Sequence, residues 1–97
     1  MTHRVVITGL GCVTPLGHDI ETVWQSLLAG RSGIGPTRRF DASTFPTTFS
    51  AQVPEDYDYL ALLPEVDRPM HEGVGLNTRF ALGAVMQAWR HSGLDTF

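Results

Sequence analysis

The chain has 97 residues, 42% of them hydrophobic, and its ten carboxylates against seven basic residues give a formal charge of −3. The basic residues are scattered, with Arg38 and Arg39 the one adjacent pair, which disfavours a surface that follows a nucleic-acid backbone. The apolar runs fall well short of the roughly 20 residues that cross a bilayer. We therefore expect neither nucleic acid nor membrane as a partner.

Cysteine usage and the N-terminal sequence indicate the compartment. Cys12 is the single cysteine, so it forms no intramolecular disulfide. The N-terminal residues lack the charged region, long apolar run and cleavage site of a secretory signal. Together these features predict a cytoplasmic protein.

The first predicted element is a strand. Val5, Val6 and Ile7 form a continuous β-branched run that stops at Gly9 and Gly11. Such a run is typical of a strand covered by helices on both faces, which requires neighbouring strands. The order strand, glycine-rich turn and helix predicts an α/β protein.

A helix is predicted next, with Asp19 as its N-cap and Gly30 as its left-handed stop. Its apolar residues have the spacing i, i+3, i+4, i+7 and i+8 of one helical stripe: Ile20, Val23, Trp24, Leu27 and Leu28. Burying five such side chains is worth on the order of 10 kcal/mol, at roughly 1.5 to 3 kcal/mol each. We therefore expect this stripe to be buried against a large surface.

The middle of the chain is rich in glycine and proline and is predicted to consist mainly of loops. One short peripheral strand is expected between Phe45 and Val53, framed by Pro46 and Pro54, because the apolar residues there occupy alternate positions. These are Phe45, Phe49, Ala51 and Val53. Between Glu55 and Gly75 we predict one short helix, around Tyr57 to Leu63, and loop elsewhere.

The last predicted element is a helix capped by Asn77 or Thr78 that ends near Ser92, with Gly93 as its stop. Small residues on it would allow another element to approach closely: Ala81, Gly83, Ala84 and Ala88. Trp24 and Trp89 each lie on an apolar helical stripe and are predicted to be core residues.

The glycine turn partly matches a nucleotide-binding loop. Gly9-Leu10-Gly11 after a strand suggests a phosphate cradle, but the third glycine of that motif would fall at Thr14. The acidic ribose partner expected about 20 residues later is also missing. We predict no nucleotide cofactor.

Cys12 is the one candidate nucleophile, because a turn ahead of a helix N-terminus can lower the pKa of a thiol. It lies seven residues before the predicted cap at Asp19, so we predict a space-filling role instead. The histidines lack metal-ligand spacing, so ordinary surface roles are predicted for all four: His3, His18, His71 and His91. The acidic residues of the middle segment are predicted to face solvent: Asp56, Asp58, Glu65 and Asp67. The residues thus predict no catalytic, cofactor or metal site.

Four stretches together resemble one family, the β-ketoacyl-acyl-carrier-protein synthases, most closely its type II members and their bacterial polyketide relatives. The stretches are Arg4 to Gly11 with Pro15-Leu16-Gly17, Trp24 to Ile34, Phe40 to Val53, and Phe80 to Leu94. The resemblance implies a thiolase-like fold of layered mixed sheets and helices, usually a homodimer. Residues 1–97 would form the N-terminal portion of the synthase N-terminal domain, with no complete domain.

The resemblance also implies an activity, the decarboxylative condensation of an acyl thioester with malonyl-acyl-carrier protein in fatty-acid or polyketide synthesis. It implies acyl carrier protein and an acyl thioester as partners and no cofactor. The family's nucleophilic cysteine, its two histidines and its lysine lie beyond Phe97, so the chain alone is predicted to be inactive and Cys12 does not inherit the role. Two alternatives stay open: a non-catalytic domain that pairs with a full-length synthase, and a dinucleotide-binding oxidoreductase domain.

Overall fold

The computed structural model describes residues 2–63 and 65–97, apart from the side chain of Val66. Two α-helices and a two-stranded sheet are its regular elements: α1 (Ile20–Leu28), β1 (Ile34–Pro36), β2 (Phe49–Ala51) and α2 (Leu76–Ser92). Three 3₁₀ helices complete the order, at Tyr59–Leu62, Glu65–His71 and Leu94–Thr96.

Helix α1 begins and ends where the sequence predicts. The Asp19 carboxylate accepts hydrogen bonds from the Thr22 backbone N–H at 2.7 Å and from the Thr22 hydroxyl at 2.9 Å. The first of these satisfies an amide that has no partner within the helix. At the other end Gly30 has a φ of 69°, a left-handed conformation that favours glycine. The predicted cap and stop are both confirmed.

Removing the Asp19 cap is expected to cost about 1 kcal/mol of stability. The Thr22 backbone and hydroxyl hydrogen bonds lower the pKa of Asp19, so the stabilisation is complete above the ordinary value near 4 and is lost as the pH falls through the lowered folded value. We expect Asp19→Ala to reduce stability at pH 7, whereas Asp19→Asn keeps an acceptor and should recover part of the loss. Urea unfolding at pH 7 and pH 3 would measure both effects, and equal stability of the three proteins at pH 7 would contradict the capping role.

The apolar stripe of α1 is largely exposed, which corrects the prediction that it is buried. Trp24 is 54% exposed, Leu27 57% and Leu28 63%. The helix instead packs through Ser26, which is 4% exposed and donates its hydroxyl to the Leu16 carbonyl at 3.1 Å. The stripe has the predicted spacing, but within the described ranges no element covers it.

The run from Val5 to Ile7 is not part of a sheet, contrary to the prediction. The exposed fractions are 91% for Val5, 70% for Val6 and 82% for Ile7. A strand is stable only when neighbouring strands satisfy its backbone N–H and C=O groups, and no described segment pairs with this run. The β-branched pattern is typical of a strand with covered faces but says nothing about where the covering elements lie.

The only sheet within the described residues is an antiparallel hairpin in the middle of the chain. Its register pairs Ile34 with Ala51, Gly35 with Ser50 and Pro36 with Phe49. Strand β2 lies within the predicted strand, between Pro46 and Pro54, but β1 falls where the sequence predicts loop. The alternation suggests that the apolar side chains of this strand are the buried ones, but the reverse is found in β2. Phe49 is 60% exposed, whereas Ser50 is half-buried.

The predicted short helix exists as the 3₁₀ helix Tyr59–Leu62, but Glu65–His71 is a second one where loop was predicted. Helix α2 begins at Leu76 with Gly75 as its N-cap, so the prediction of Asn77 or Thr78 as the cap is wrong. Gly75 makes no side-chain capping bond. At its C-terminus Gly93 has a φ of 79°, so the predicted glycine stop is confirmed. Trp89 is 47% exposed, so like Trp24 it is not a core residue of this chain.

The shape of the chain shows how little of it is covered. The buried apolar residues are few: Ala42, Val53, Tyr59 and Leu63. The radius of gyration is 16.6 Å, whereas a compact domain of this length has about 12.5 Å. The accessible surface is 7538 Å², against roughly 5500 Å² for a compact protein of this mass.

Candidate functional site

Gly9 and Gly11 pack against the backbone of α2. A Cβ added at Gly11 would overlap the Ala84 carbonyl oxygen and lie 2.9 Å from the Ala88 nitrogen. A Cβ added at Gly9 would overlap the Ala88 carbonyl oxygen and lie 2.8 Å from the Ser92 nitrogen. The small residues of α2 therefore do what the sequence predicts, and glycine is needed here for close approach to a helix.

Two side chains of α2 hold the same segment by its backbone. The Leu10 N–H donates to His91 Nδ1 at 3.0 Å, and the Cys12 N–H donates to Gln87 Oε1 at 3.2 Å. Gln87 also donates its side-chain amide to the His18 carbonyl. We call the first two the anchoring contacts. The prediction of surface roles for the histidines missed His91, although His91 and Gln87 lie four residues apart beside the small residues of α2.

A tight turn follows the anchored segment and leads into α1. Thr14 and Gly17 exchange two backbone hydrogen bonds, at 2.8 Å from Thr14 N to Gly17 O and 3.2 Å in the other direction. In a dinucleotide-binding loop the glycines would instead leave room for a pyrophosphate at the helix N-terminus. Because α2 fills that room at Gly9 and Gly11, the geometry does not favour the oxidoreductase alternative.

The surroundings of the Cys12 thiol disfavour its thiolate form. Cys12 is half-buried, and its burial, followed by the negative charge of Asp19, raises the pKa of the thiol above its ordinary value. A cysteine nucleophile needs a lowered pKa or an adjacent base. Across residues 2–63 and 65–97 no hydrogen bond joins the thiol to a histidine. These facts support the predicted space-filling role.

Beside the turn lies an open cleft of about 390 Å³. Its lining includes His18 and Tyr57, whose rings are 5.1 Å apart, and the carboxylates of Asp19, Asp56 and Asp58. The Tyr57 hydroxyl packs onto Gly83 and has no hydrogen-bond partner among the described residues. Desolvation, followed by the charge of Asp58, raises the pKa of Tyr57. The cleft thus has acidic and aromatic walls without a paired nucleophile and base.

The remaining candidate residues are dispersed. Glu65 and Asp67 lie in the second 3₁₀ helix, and the His71 carbonyl accepts a hydrogen bond from the Tyr59 hydroxyl at 2.9 Å. The part of the chain that the structure describes has no group of three histidine, cysteine or acidic side chains placed to bind a metal ion. Nor does any described helix have the length and apolar character needed to cross a membrane.

Comparison with known proteins identifies the scaffold that contains this turn. The profile of the family "β-ketoacyl synthase, N-terminal domain" matches residues 2–96. The 3-oxoacyl-acyl-carrier-protein synthase 2 of Coxiella burnetii is 47% identical over 92 residues, 95% of this chain and 21% of the relative. The protein of the same name from Synechocystis is 42% identical over 85 residues, 88% of this chain and 20% of the relative.

A solved structure, the ishigamide ketosynthase/chain length factor, matches with a TM-score of 0.76 and 30% identity. The match covers 96% of this chain and 22% of that one. The chain therefore spans about a fifth of the length of the relatives it matches. The resemblance and the α/β fold class predicted from the sequence are both confirmed: the chain belongs to the β-ketoacyl synthase family and corresponds to the N-terminal part of its thiolase-like fold.

Proposed function

We propose that this chain is the N-terminal segment of a condensing enzyme that extends an acyl chain on acyl carrier protein, in fatty-acid or polyketide synthesis. The observation that carries the proposal is the family match over residues 2–96, since it includes every element described above. The proposal extends to the whole protein what the 3-oxoacyl-acyl-carrier-protein synthases among its relatives are named for.

The proposed reaction has two steps. A cysteine thiolate attacks the acyl thioester, forms an enzyme-bound thioester and releases the carrier thiol. Malonyl-carrier protein then loses carbon dioxide, and the resulting carbanion attacks the bound acyl carbonyl. The cysteine thiolate leaves, and a β-ketoacyl-carrier protein is the product. Donors aimed at the developing oxyanion would stabilise both steps.

The catalytic groups are proposed to come from parts of the enzyme outside these 97 residues. Cys12 is a poor candidate for the nucleophile, because burial and Asp19 raise its pKa and its backbone is fixed against α2. We assign this segment a structural role, in which Gly9 and Gly11 pack the N-terminal segment against α2. Since the segment then forms only part of a domain, its excess accessible surface is expected.

The partners and compartment follow from the same proposal. Acyl carrier protein and an acyl thioester would be the substrates of the complete enzyme, which we propose to be a cytoplasmic homodimer. The exposed stripe of α1, with Trp24, Leu27 and Leu28, and the run from Val5 to Ile7 would be covered by further layers of the same protein. Exposed apolar surface of this extent is otherwise a cause of aggregation.

A hybrid enzyme tests the proposal. In this hybrid synthase the chain replaces the matching N-terminal segment of the Coxiella burnetii relative, to which it is 47% identical. We expect the hybrid synthase to be soluble and to form β-ketoacyl-carrier protein from acyl- and malonyl-carrier protein, and the 97-residue chain alone to form none. The unmodified relative is the positive control.

Three results would contradict the proposal. One is condensation by the chain alone, which would place the chemistry within it. Another is a hybrid synthase that is insoluble or inactive, which would show that the segment does not fit the enzyme. The third is a stable, specific complex between the isolated chain and the full-length relative, together with an inactive hybrid, which would favour the non-catalytic pairing domain.

A further inference from the structure

We propose that the two anchoring contacts respond differently to protons, so that His91 is a pH-sensitive attachment point for the N-terminal segment and Gln87 a pH-insensitive one. His91 holds the Leu10 amide and Gln87 holds the Cys12 amide. Acid would therefore break the Leu10 contact while the segment stays attached at Cys12. The inference rests on contacts within this chain and does not depend on the proposed function.

The spacing of the two donor amides matches the spacing of their two acceptors on α2. The attached amides are two residues apart, and their acceptors are four residues apart on α2. A two-residue step of extended chain covers roughly 6.6 Å, and a four-residue step of α-helix covers about 6.0 Å. The lengths agree, so an extended segment running antiparallel to α2 meets one acceptor on each turn. Gly9 and Gly11 follow the same spacing over Ala88 and Ala84.

The two acceptors differ in what a proton does to them. Nδ1 of His91 accepts the Leu10 N–H only while it carries a free lone pair, and on protonation it becomes a donor itself. Two donors would then face each other, and the bond would be lost. Histidine as a residue type gains its proton within the range of about pH 5 to 8. The amide oxygen of Gln87 does not titrate there, so the Cys12 contact is an internal reference.

Several charged or titratable residues lie in the elements around His91. Arg90 is its neighbour on α2, Asp95 lies in the 3₁₀ helix that follows, and His3 and Arg4 belong to the attached segment. His3 is a second imidazole, on the attached segment itself, and needs its own control.

Releasing this point would alter the position of the most exposed part of the chain. Residues 2–9 pair with no strand in the part of the protein that the structure describes, and they include the exposed run from Val5 to Ile7. Their direction relative to α2 therefore depends on the contacts at Gly9, Leu10 and Gly11. When the Leu10 contact opens, packing at Gly11 and the Cys12 bond remain.

Hydrogen exchange resolved to single amides tests the inference in the hybrid synthase and in the 97-residue chain. We expect acidification from about pH 8 to about pH 5 to reduce the protection factor of the Leu10 amide about tenfold, the equivalent of one hydrogen bond. The protection factor of the Cys12 amide should change less than twofold, on the order of the measurement error. Protection factors corrected for the intrinsic pH dependence of exchange are compared.

Variants separate His91 from its surroundings. His91→Asn keeps an acceptor near the position of Nδ1 without a titrating group, so the Leu10 response to pH should disappear while its protection at pH 8 persists. His91→Phe should leave Leu10 unprotected at both pH values, and His3→Gln should leave the wild-type response unchanged. A parallel loss at Leu10 and Cys12, equal protection of Leu10 at both pH values, or no protection at either amide would overturn the proposal. So would a pH response that survives in His91→Asn.

Discussion

Replacing Gly11 by alanine is expected to detach the N-terminal segment from α2. The added methyl group would overlap the Ala84 carbonyl oxygen and lie 2.9 Å from the Ala88 nitrogen. Both atoms belong to the helix backbone and cannot rotate away, so the segment must move instead. Overpacking of this kind costs about 3 kcal/mol, and the Cys12 bond to Gln87 is lost with it.

The measurement is hydrogen exchange of the Cys12 amide, in the chain and in the hybrid synthase. A cost of about 3 kcal/mol corresponds to exchange that is about a hundredfold faster. Gly35→Ala is the matched control, because a Cβ at Gly35 in β1 would meet no atom within 4 Å. If the Cys12 amide were equally protected in the Gly11→Ala and Gly35→Ala variants, the close approach of Gly11 to α2 would be refuted.

Replacing Trp24 by alanine is expected to destabilise the hybrid synthase far more than its exposure in this chain suggests. Trp24 is 54% exposed here and lies on the apolar stripe of α1. If further layers of the enzyme cover the stripe, truncation of a buried tryptophan costs about 3 to 5 kcal/mol. If they do not, the cost stays at about 1 kcal/mol or less, as for partly exposed residues.

Urea unfolding of the hybrid synthase would distinguish the two outcomes. Gln25→Ala provides the control on the same helix, because Gln25 is exposed and, among the described residues, its side chain bonds only to Glu21, at 3.1 Å. We expect a change of roughly 0.5 kcal/mol or less for the control. Equal small losses for Trp24→Ala and Gln25→Ala would contradict the claim that the stripe is covered in the complete enzyme.

Signals that depend on neighbouring residues could be predicted from the sequence. Asp19 caps α1, and Gly30 and Gly93 take the left-handed conformation after their helices. Each of these features is decided by the side chain and by backbone groups within a few residues. The close approach allowed by Gly83, Ala84 and Ala88 was also predictable, because small residues on one helical face have few other uses.

Features that depend on distant or absent partners could not be predicted. The run from Val5 to Ile7 is β-branched and apolar, but whether it pairs depends on strands elsewhere. The same holds for the α1 stripe, whose spacing predicts a buried face without saying what buries it. Strand β1 contains Gly35 and Pro36, residue types that are uncommon in strands, so its pairing with β2 could not be predicted. The alternation around Phe49 indicates a strand but does not show which of its faces is covered.

The candidate site shows the same division. The spacing of Gly9, Gly11 and Thr14 argues against a nucleotide, and the geometry agrees because α2 occupies the room beside the glycines. The roles of Gln87 and His91 were missed, because a side chain that accepts a backbone N–H 75 or 81 residues away leaves no local pattern. The space-filling role of Cys12 stays a prediction, supported by its raised pKa.

Cys12→Ser in the hybrid synthase tests most directly the claim that this segment provides structure and not chemistry. Serine keeps the size of the side chain and the backbone bond to Gln87 but removes the thiol. We expect kcat/KM for condensation to stay within about threefold of the parent hybrid, since the change touches no reacting group. A fall of about three orders of magnitude or more in a variant with unchanged circular dichroism would show that Cys12 is the nucleophile and would contradict the account.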